Sequence, residues 1–228
     1  MCCCSWLPLN LIIIVLITGA TAGIGKSCAW RFAEEGCKLI LMGRREDRLE
    51  LLKNELLVSY PLLKINTISL SVTDIEKIEL LPTTLPDEFK DVDIIVNNAG
   101  LALGVSYIDN NNVNDARTVL DTNVLGVIAL CSAFVPGMKK RGDGHIINMG
   151  SVAGHYCKFL LVCLSSWFII TCNIIISHHH HLYHYYHHHY LYYIAYASGS
   201  VYNASKYALR GFTEAARHDL AGKLCTYS

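Results

Sequence analysis

The stretch LIIIVLITGATAGIGKSCAWRFAEEG, residues 11–36, decides the fold. Leu11–Thr18 is a continuous apolar run, largely β-branched, as expected of a strand buried on both faces. TGATAGIG (18–25) follows, then Lys26–Glu35 reads as a helix closed by Gly36. Glycines at 19, 23 and 25 let the backbone turn tightly and approach a pyrophosphate with no Cβ in the way. The helix N-terminus adds N–H donors and partial positive charge. A glycine triplet alone also marks plain turns, but its strand–turn–helix placement points to a dinucleotide. Outward from here, strand-like and helix-like segments alternate. Lys38–Met42, Ile65–Val72, Val92–Val96 and His145–Asn148 read as strands. Arg48–Val58 reads as a helix with Leu49, Leu52 and Leu56 on one side, and Asp74–Leu81 as a short one. Val113–Lys140 holds one long helix or two, with Pro136 as a candidate break, and Tyr202–Leu220 is amphipathic. The alternation predicts a Rossmann-type α/β fold: a doubly wound parallel sheet in three α/β/α layers, with ligands at the C-terminal strand ends.

Composition narrows the function. The 228 residues suit one large domain or two small ones. Lys plus Arg and Asp plus Glu are 19 each, so bulk charge recruits neither nucleic acid nor a polybasic membrane contact. With 52 % hydrophobic and 17 % charged residues, disorder over the whole chain is excluded. Ten Cys are too sparse for a disulfide scaffold of this length, and no CxxC spacing occurs. They read as small thiols in a reducing compartment, the cytoplasm.

The second strand discriminates between dinucleotides. A carboxylate at its end would hold ribose hydroxyls and favour NAD. Here the end is Met42-Gly43-Arg44-Arg45, and two guanidinium groups suit a 2′-phosphate by charge and fork geometry. NADP is therefore expected over NAD, the alternative being a solvated loop in which Glu46 and Asp47 partly neutralise the arginines.

Five ordered motifs, TGATAGIG (18–25), NNAG (97–100), DTNVLG (121–126), GHIINMGSVAG (144–154) and YNASK (202–206), make the chain resemble the short-chain dehydrogenase/reductase family. GRREDRL (43–49) and VDIIVNNAGLALG (92–104) look like its NADP-dependent 3-hydroxy acid, serine-type, members. The resemblance implies an oxidoreductase moving a hydride between NADP(H) and a secondary alcohol or ketone, a small molecule. It places catalysis on Asn123, Ser151, Tyr202 and Lys206. Tyr202 would be the acid/base, Ser151 would hydrogen-bond the substrate oxygen, and Asn123 would anchor a relay water. A free phenol titrates at about 10, so a neighbouring cation is needed. Lys206, one helical turn on, would supply it and also hold the nicotinamide ribose. The cofactor would lie against Gly19, Ala20, Thr21, Gly23, Ile24, Gly25, Arg44, Arg45, Ser71, Val72, Asn98, Ala99 and Gly100, besides Tyr202 and Lys206. At Ser71-Val72 the family usually has Asp-Val, with the Asp on the adenine amino group. Homo-oligomerisation through helices near 113–140 and 202–220 is implied too. No metal is expected.

Residues 157–194 interrupt a single domain spanning 1–228. They hold one charge, Lys158, with eight of the eleven His and six of the thirteen Tyr, and carry no helix or strand period. Deleting them shortens the gap between Ser151 and Tyr202 from 51 to 13, the spacing of the family. Phe159–Ile176 is long enough to span a membrane, giving a membrane-anchored reductase, and the His tract could ligate Zn²⁺. The favoured reading is translated intron: a Lys codon AAG after a codon ending in GT spells a splice donor, at Cys157-Lys158 and again at Gly222-Lys223. The family continues beyond the helix of Lys206 with a further strand, a Pro-Gly turn, a lid and a last strand. In the strand order the resemblance implies, 3-2-1-4-5, the fifth strand is accordingly expected as an unpaired edge, and the chain as poorly soluble and nearly inactive, the alternative to an oxidoreductase being an inactive or cofactor-binding-only fragment.

Overall fold

A computed structural model describes residues 12–104, 106–154, 172–174 and 199–221. Strands β1 (Ile14–Thr18), β2 (Lys38–Gly43), β3 (Ile65–Ser69), β4 (Ile94–Asn97) and β5 (His145–Met149) form a parallel sheet in the order β3-β2-β1-β4-β5. The register is continuous: Leu16 pairs with Ile40 and with Ile95, and Ile95 with Ile146. Helices are α1 (Gly23–Glu34), α2 (Glu46–Ser59), α3 (Ile75–Thr84), α4 (Val113–Leu120), α5 (Gly126–Arg141) and α6 (Ser200–Leu220).

The β1 run explains why both faces are covered. Ile14 and Leu16 point into a core with Ile78 and Leu81 of α3 and Leu130, Phe134 and Met138 of α5. Val15 and Ile17, on the other face, meet Ala29 and Ala33 of α1 and Leu49, Leu52 and Leu56 of α2. Period-2 alternation with both sets apolar leaves only a three-layer solution. Each such fully buried Leu or Ile contributes about 1.5–3 kcal/mol. α6 docks beside α5, where Val127, Cys131, Ile146 and Leu209 share a smaller core.

Three expectations are corrected. The fifth strand is not a bare edge: β6 (Cys172–Ile174) lies antiparallel along it, pairing Ile147 with Ile174, Asn148 with Asn173 and Met149 with Cys172. A strand therefore exists inside the aperiodic 157–194 stretch, and the solubility argument built on the open edge loses its premise. The third is Pro136, which does not end α5. Pro136 and Ser132, whose carbonyl its missing N–H leaves without a helical partner, both lie on the exposed side of α5, where solvent rather than core surrounds the lost bond. The break falls instead at Asp121–Leu125, one π turn between α4 and α5. Observed β3 also stops at Ser69, and Leu70–Val72 turn away to wall a cleft.

The run Val113–Arg141 is long and apolar enough to cross a membrane, but half of its most apolar window is buried in the fold as core. The Phe159–Ile176 candidate span lies outside the described residues except for 172–174.

Candidate active site

The glycine loop and the NNAG loop are knitted together at the C-terminal ends of β1 and β4. Thr18 Oγ1 donates to the Val96 carbonyl (3.3 Å) and accepts from the N–H groups of Asn98 (3.0 Å) and Ala99 (2.9 Å). Asn98 Nδ2 donates back to the carbonyls of Thr18 (2.9 Å) and Gly19 (3.2 Å). This closeness requires glycine. A Cβ on Gly25 would sit 2.4 Å from the Gly19 carbonyl oxygen and 2.5 Å from Asn98 Nδ2. Gly19 itself has φ +63, and its Cβ would meet Ala99 Cα at 3.0 Å.

Above this knot opens a cleft of about 470 Å³. Gly19, Thr21, Ile24, Arg44, Arg45, Ser71, Val72, Asn98, Ala99 and Gly100 line it, all from the expected cofactor set. Ala20, Gly23 and Gly25 do not, nor do Tyr202 and Lys206: Ala20 is wholly buried, Gly25 packs beneath Gly19, and Lys206 lies on the far side of Gly100. Thr118 and Thr122 also line the cleft, and sequence reading missed them. Their i, i+4 spacing just ahead of Asn123 was the available signal. Ser71 is engaged locally, its hydroxyl 2.8 Å from that of Thr73.

The residues fit a dinucleotide with an extra phosphate. The first turn of α1 carries no acidic residue, and Ala22 at its cap offers no side-chain acceptor to compete for the N–H groups. Arg45 donates to Thr21 Oγ1 at 2.7 Å, so its guanidinium is held over the glycine loop, and Arg44 is exposed at the same rim.

Beyond Gly100 the cleft abuts the second group of expected residues. A Cβ on Gly100 would lie 3.3 Å from Asn123 Oδ1 and 3.8 Å from Lys206 Nζ. Asn123 sits in the π turn and is 1 % exposed. Its Nδ2 donates to the Leu101 carbonyl (2.9 Å) and to Ser205 Oγ (3.0 Å), and its Oδ1 accepts from Leu101 N–H (2.9 Å). Both amide hydrogens are thus committed, and a second lone pair of Oδ1 remains. Lys206, 8 % exposed, donates to the Met149 carbonyl at 3.0 Å and lies 5.7 Å from the centre of the Tyr202 ring. Burial pushes its ammonium down from its ordinary range. Ser151 follows β5 and accepts from Ala153 N–H at 3.2 Å. Its turn is pressed against α6, since a Cβ on Gly154 would be 2.6 Å from the Lys206 carbonyl oxygen.

Among the described residues, no group of three or more His, Cys, Asp or Glu could hold a metal ion. The His tract lies outside them. Cys131 is a free thiol that accepts from Asn97 Nδ2 at 3.7 Å, and burial pushes it up to about 11.

A doubly wound sheet with a glycine-lined cleft at its C-terminal edge and a Tyr–Lys pair beside it defines a dinucleotide-dependent α/β protein. Residues 13–166 match the short chain dehydrogenase family. The chain belongs to that family of oxidoreductases. It is 39 % identical over 209 residues to the NADP-dependent 3-hydroxy acid dehydrogenase YdfG of Salmonella typhi, covering 92 % of this chain and 67 % of the relative. It is 34 % identical to serine 3-dehydrogenase of Agrobacterium fabrum, over 92 % of this chain and 66 % of that one. The crystal structure of serine dehydrogenase from Escherichia coli superposes with a TM-score of 0.70 at 37 % identity, covering 93 % of this chain and 79 % of that one.

Proposed function

We propose that this chain is an NADP-linked dehydrogenase/reductase acting on a small secondary alcohol or ketone, with 3-hydroxy acids of the serine type as the first substrates to try. The observation that carries the reading is the junction at Gly100, where a dinucleotide-sized cleft with two arginines at one end meets Asn123, Lys206 and the Tyr202 ring at the other. The relatives named above, NADP-dependent 3-hydroxy acid and serine dehydrogenases, support the cofactor and the substrate class.

NADP(H), when bound, supplies or accepts the hydride. In the reductive direction Ser151 Oγ donates a hydrogen bond to the substrate carbonyl and fixes its orientation. Tyr202 gives its hydroxyl proton to that oxygen as the carbon gains the hydride, and is left as phenolate. Lys206 steadies the phenolate by its charge and is itself aimed by the Met149 carbonyl. Asn123 anchors the water that returns a proton, through the lone pair of Oδ1 left free of Leu101. Oxidation runs the same steps in reverse, with Tyr202 as base.

The experiment is NADPH consumption, against NADH, with 3-oxo acids and simple ketones, on the chain as it stands and on Tyr202→Phe. Turnover, however slow in this chain, that prefers NADPH and vanishes in Tyr202→Phe, with NADPH affinity kept within a few-fold, is expected. Tyr202→Phe retaining turnover refutes the role of the phenol.

A further inference from the structure

The segment between β4 and α4 is tied at both ends to the elements that carry Asn123 and Tyr202. At its start, Leu101 is held through both its N–H and its carbonyl by the Asn123 amide. Toward its far end, Asn111 Nδ2 donates to Ser200 Oγ at 2.8 Å, and Asn111 Oδ1 lies 3.2 Å from Ser106 Oγ. That hydroxyl is also 3.3 Å from the Gly104 carbonyl and 3.2 Å from that of Asn110, so it gathers the segment into one turn. Ser200 is the first residue of α6, two positions before Tyr202. Among the described residues the cap of α6 has little else. Gly199 has no side chain to offer, and Asn203 Nδ2 reaches back to its carbonyl at 2.9 Å. First turns of helices fray because their N–H groups lack intrahelical partners, and opening there costs little.

We propose that Asn111 is a positioning residue for Tyr202. Its amide latches the first turn of α6 to the β4–α4 segment, so that Asn123 and Tyr202 are set relative to each other by one strap pinned at Leu101 and at Ser200. The neighbouring asparagine does something different: Asn112 Oδ1 accepts from Asn114 N–H at 2.8 Å and caps α4. The latch joins residues 89 apart, Asn111 and Ser200, both half-buried, where a hydrogen bond is sheltered from competing water.

The catalytic half of this inference rests on the proposed role of Tyr202; the latch does not. The test is therefore double. Amide hydrogen exchange is followed in the full chain and in Asn111→Ala, Ser200→Ala, the pair together and Asn111→Asp. In either alanine variant, exchange at 203–206, the first hydrogen-bonded amides of α6, and at 106–111 should rise together, by roughly 3- to 10-fold, the worth of one ordinary hydrogen bond. The double variant should be no worse than either single one, because both remove the same bond. Asn111→Asp should restore protection, since a carboxylate accepts from both the Ser106 and Ser200 hydroxyls. The kcat for NADPH-dependent reduction should fall by a similar factor in the alanine variants while NADPH affinity holds. Faster exchange confined to 106–111, with 203–206 unchanged, overturns the latch, as does an additive double variant. Should the parent chain show no turnover, the exchange pattern still decides the latch, and the oxidoreductase reading alone fails.

Discussion

Gly25→Ala is a sharp test of how the cofactor cleft is built. In a generic helix the change would be favourable by about 1 kcal/mol, because alanine restricts the unfolded chain and suits helical φ/ψ. Here the new methyl carbon would lie 2.4 Å from the Gly19 carbonyl oxygen and 2.5 Å from Asn98 Nδ2. Neither neighbour is a flexible side-chain tip. The first is backbone, and the second is an amide already donating to the carbonyls of Thr18 and Gly19. Relief requires α1 to move off β1. Overpacking of this kind costs about 1–3 kcal/mol, and loss of one Asn98 bond about 1 kcal/mol more. After the helix-propensity gain, a net loss of about 1–3 kcal/mol remains, which for a chain of this size lowers Tm by roughly 2–4 °C per kcal/mol. NADPH affinity should fall as well, since the same shift displaces Gly19 and the N-terminus of α1 from the cleft. Thermal unfolding with and without NADPH, beside fluorescence titration, measures both. Unchanged Tm and unchanged affinity would refute the reasoning.

Replacing Arg44 and Arg45 together by Ala should weaken NADPH by about 2–4 kcal/mol, two charge-assisted contacts with partial redundancy, and barely move NADH; equal losses for both would show that the arginines do not read the 2′-phosphate. Lys206→Met should abolish turnover yet leave Tm at pH 7 equal or higher, because burial of the ammonium is a cost that the folded state carries. The sign of its pH dependence follows: between the depressed native value and the ordinary one near 10.5 the unfolded chain binds more protons through Lys206, so stability of the parent relative to Lys206→Met should rise with pH through that window. A difference between the two profiles that is flat or falling there contradicts the burial argument. Deleting 157–194 takes β6 away and bares the Ile147–Met149 edge, so size-exclusion chromatography should show more association than in the intact chain; a deletion variant that associates no more than its parent would mean the edge is closed otherwise. Sequencing the transcript tests the intron reading, which a mature message retaining 157–194 would sink.

Local chemistry was enough for much of this protein. The β-branched run at 11–18 read as a strand buried on both faces, and right-handed crossovers made the sheet doubly wound, while its order 3-2-1-4-5 came with the family resemblance, since 2-1-3-4-5 has the same handedness. TGATAGIG carried its own turn geometry, and the four-residue spacing of Tyr202 and Lys206 put both on one helix face. Such features depend on neighbours a few residues away, so their period survives in one dimension. Other features depend on contacts between segments far apart in the chain, and no period encodes those. Pro136 looked like the break because proline breaks helices in general, yet its solvent-facing position made it tolerable, and the π turn formed where Asn123 had to meet Leu101 and Ser205. Cys172–Ile174 showed no strand pattern, being only three residues, and became a strand because β5 offered unpaired backbone groups beside it. Thr118 and Thr122 joined the cleft, and Asn111 found Ser200, because folding brought together surfaces whose complementarity is a matter of ångströms rather than of residue type.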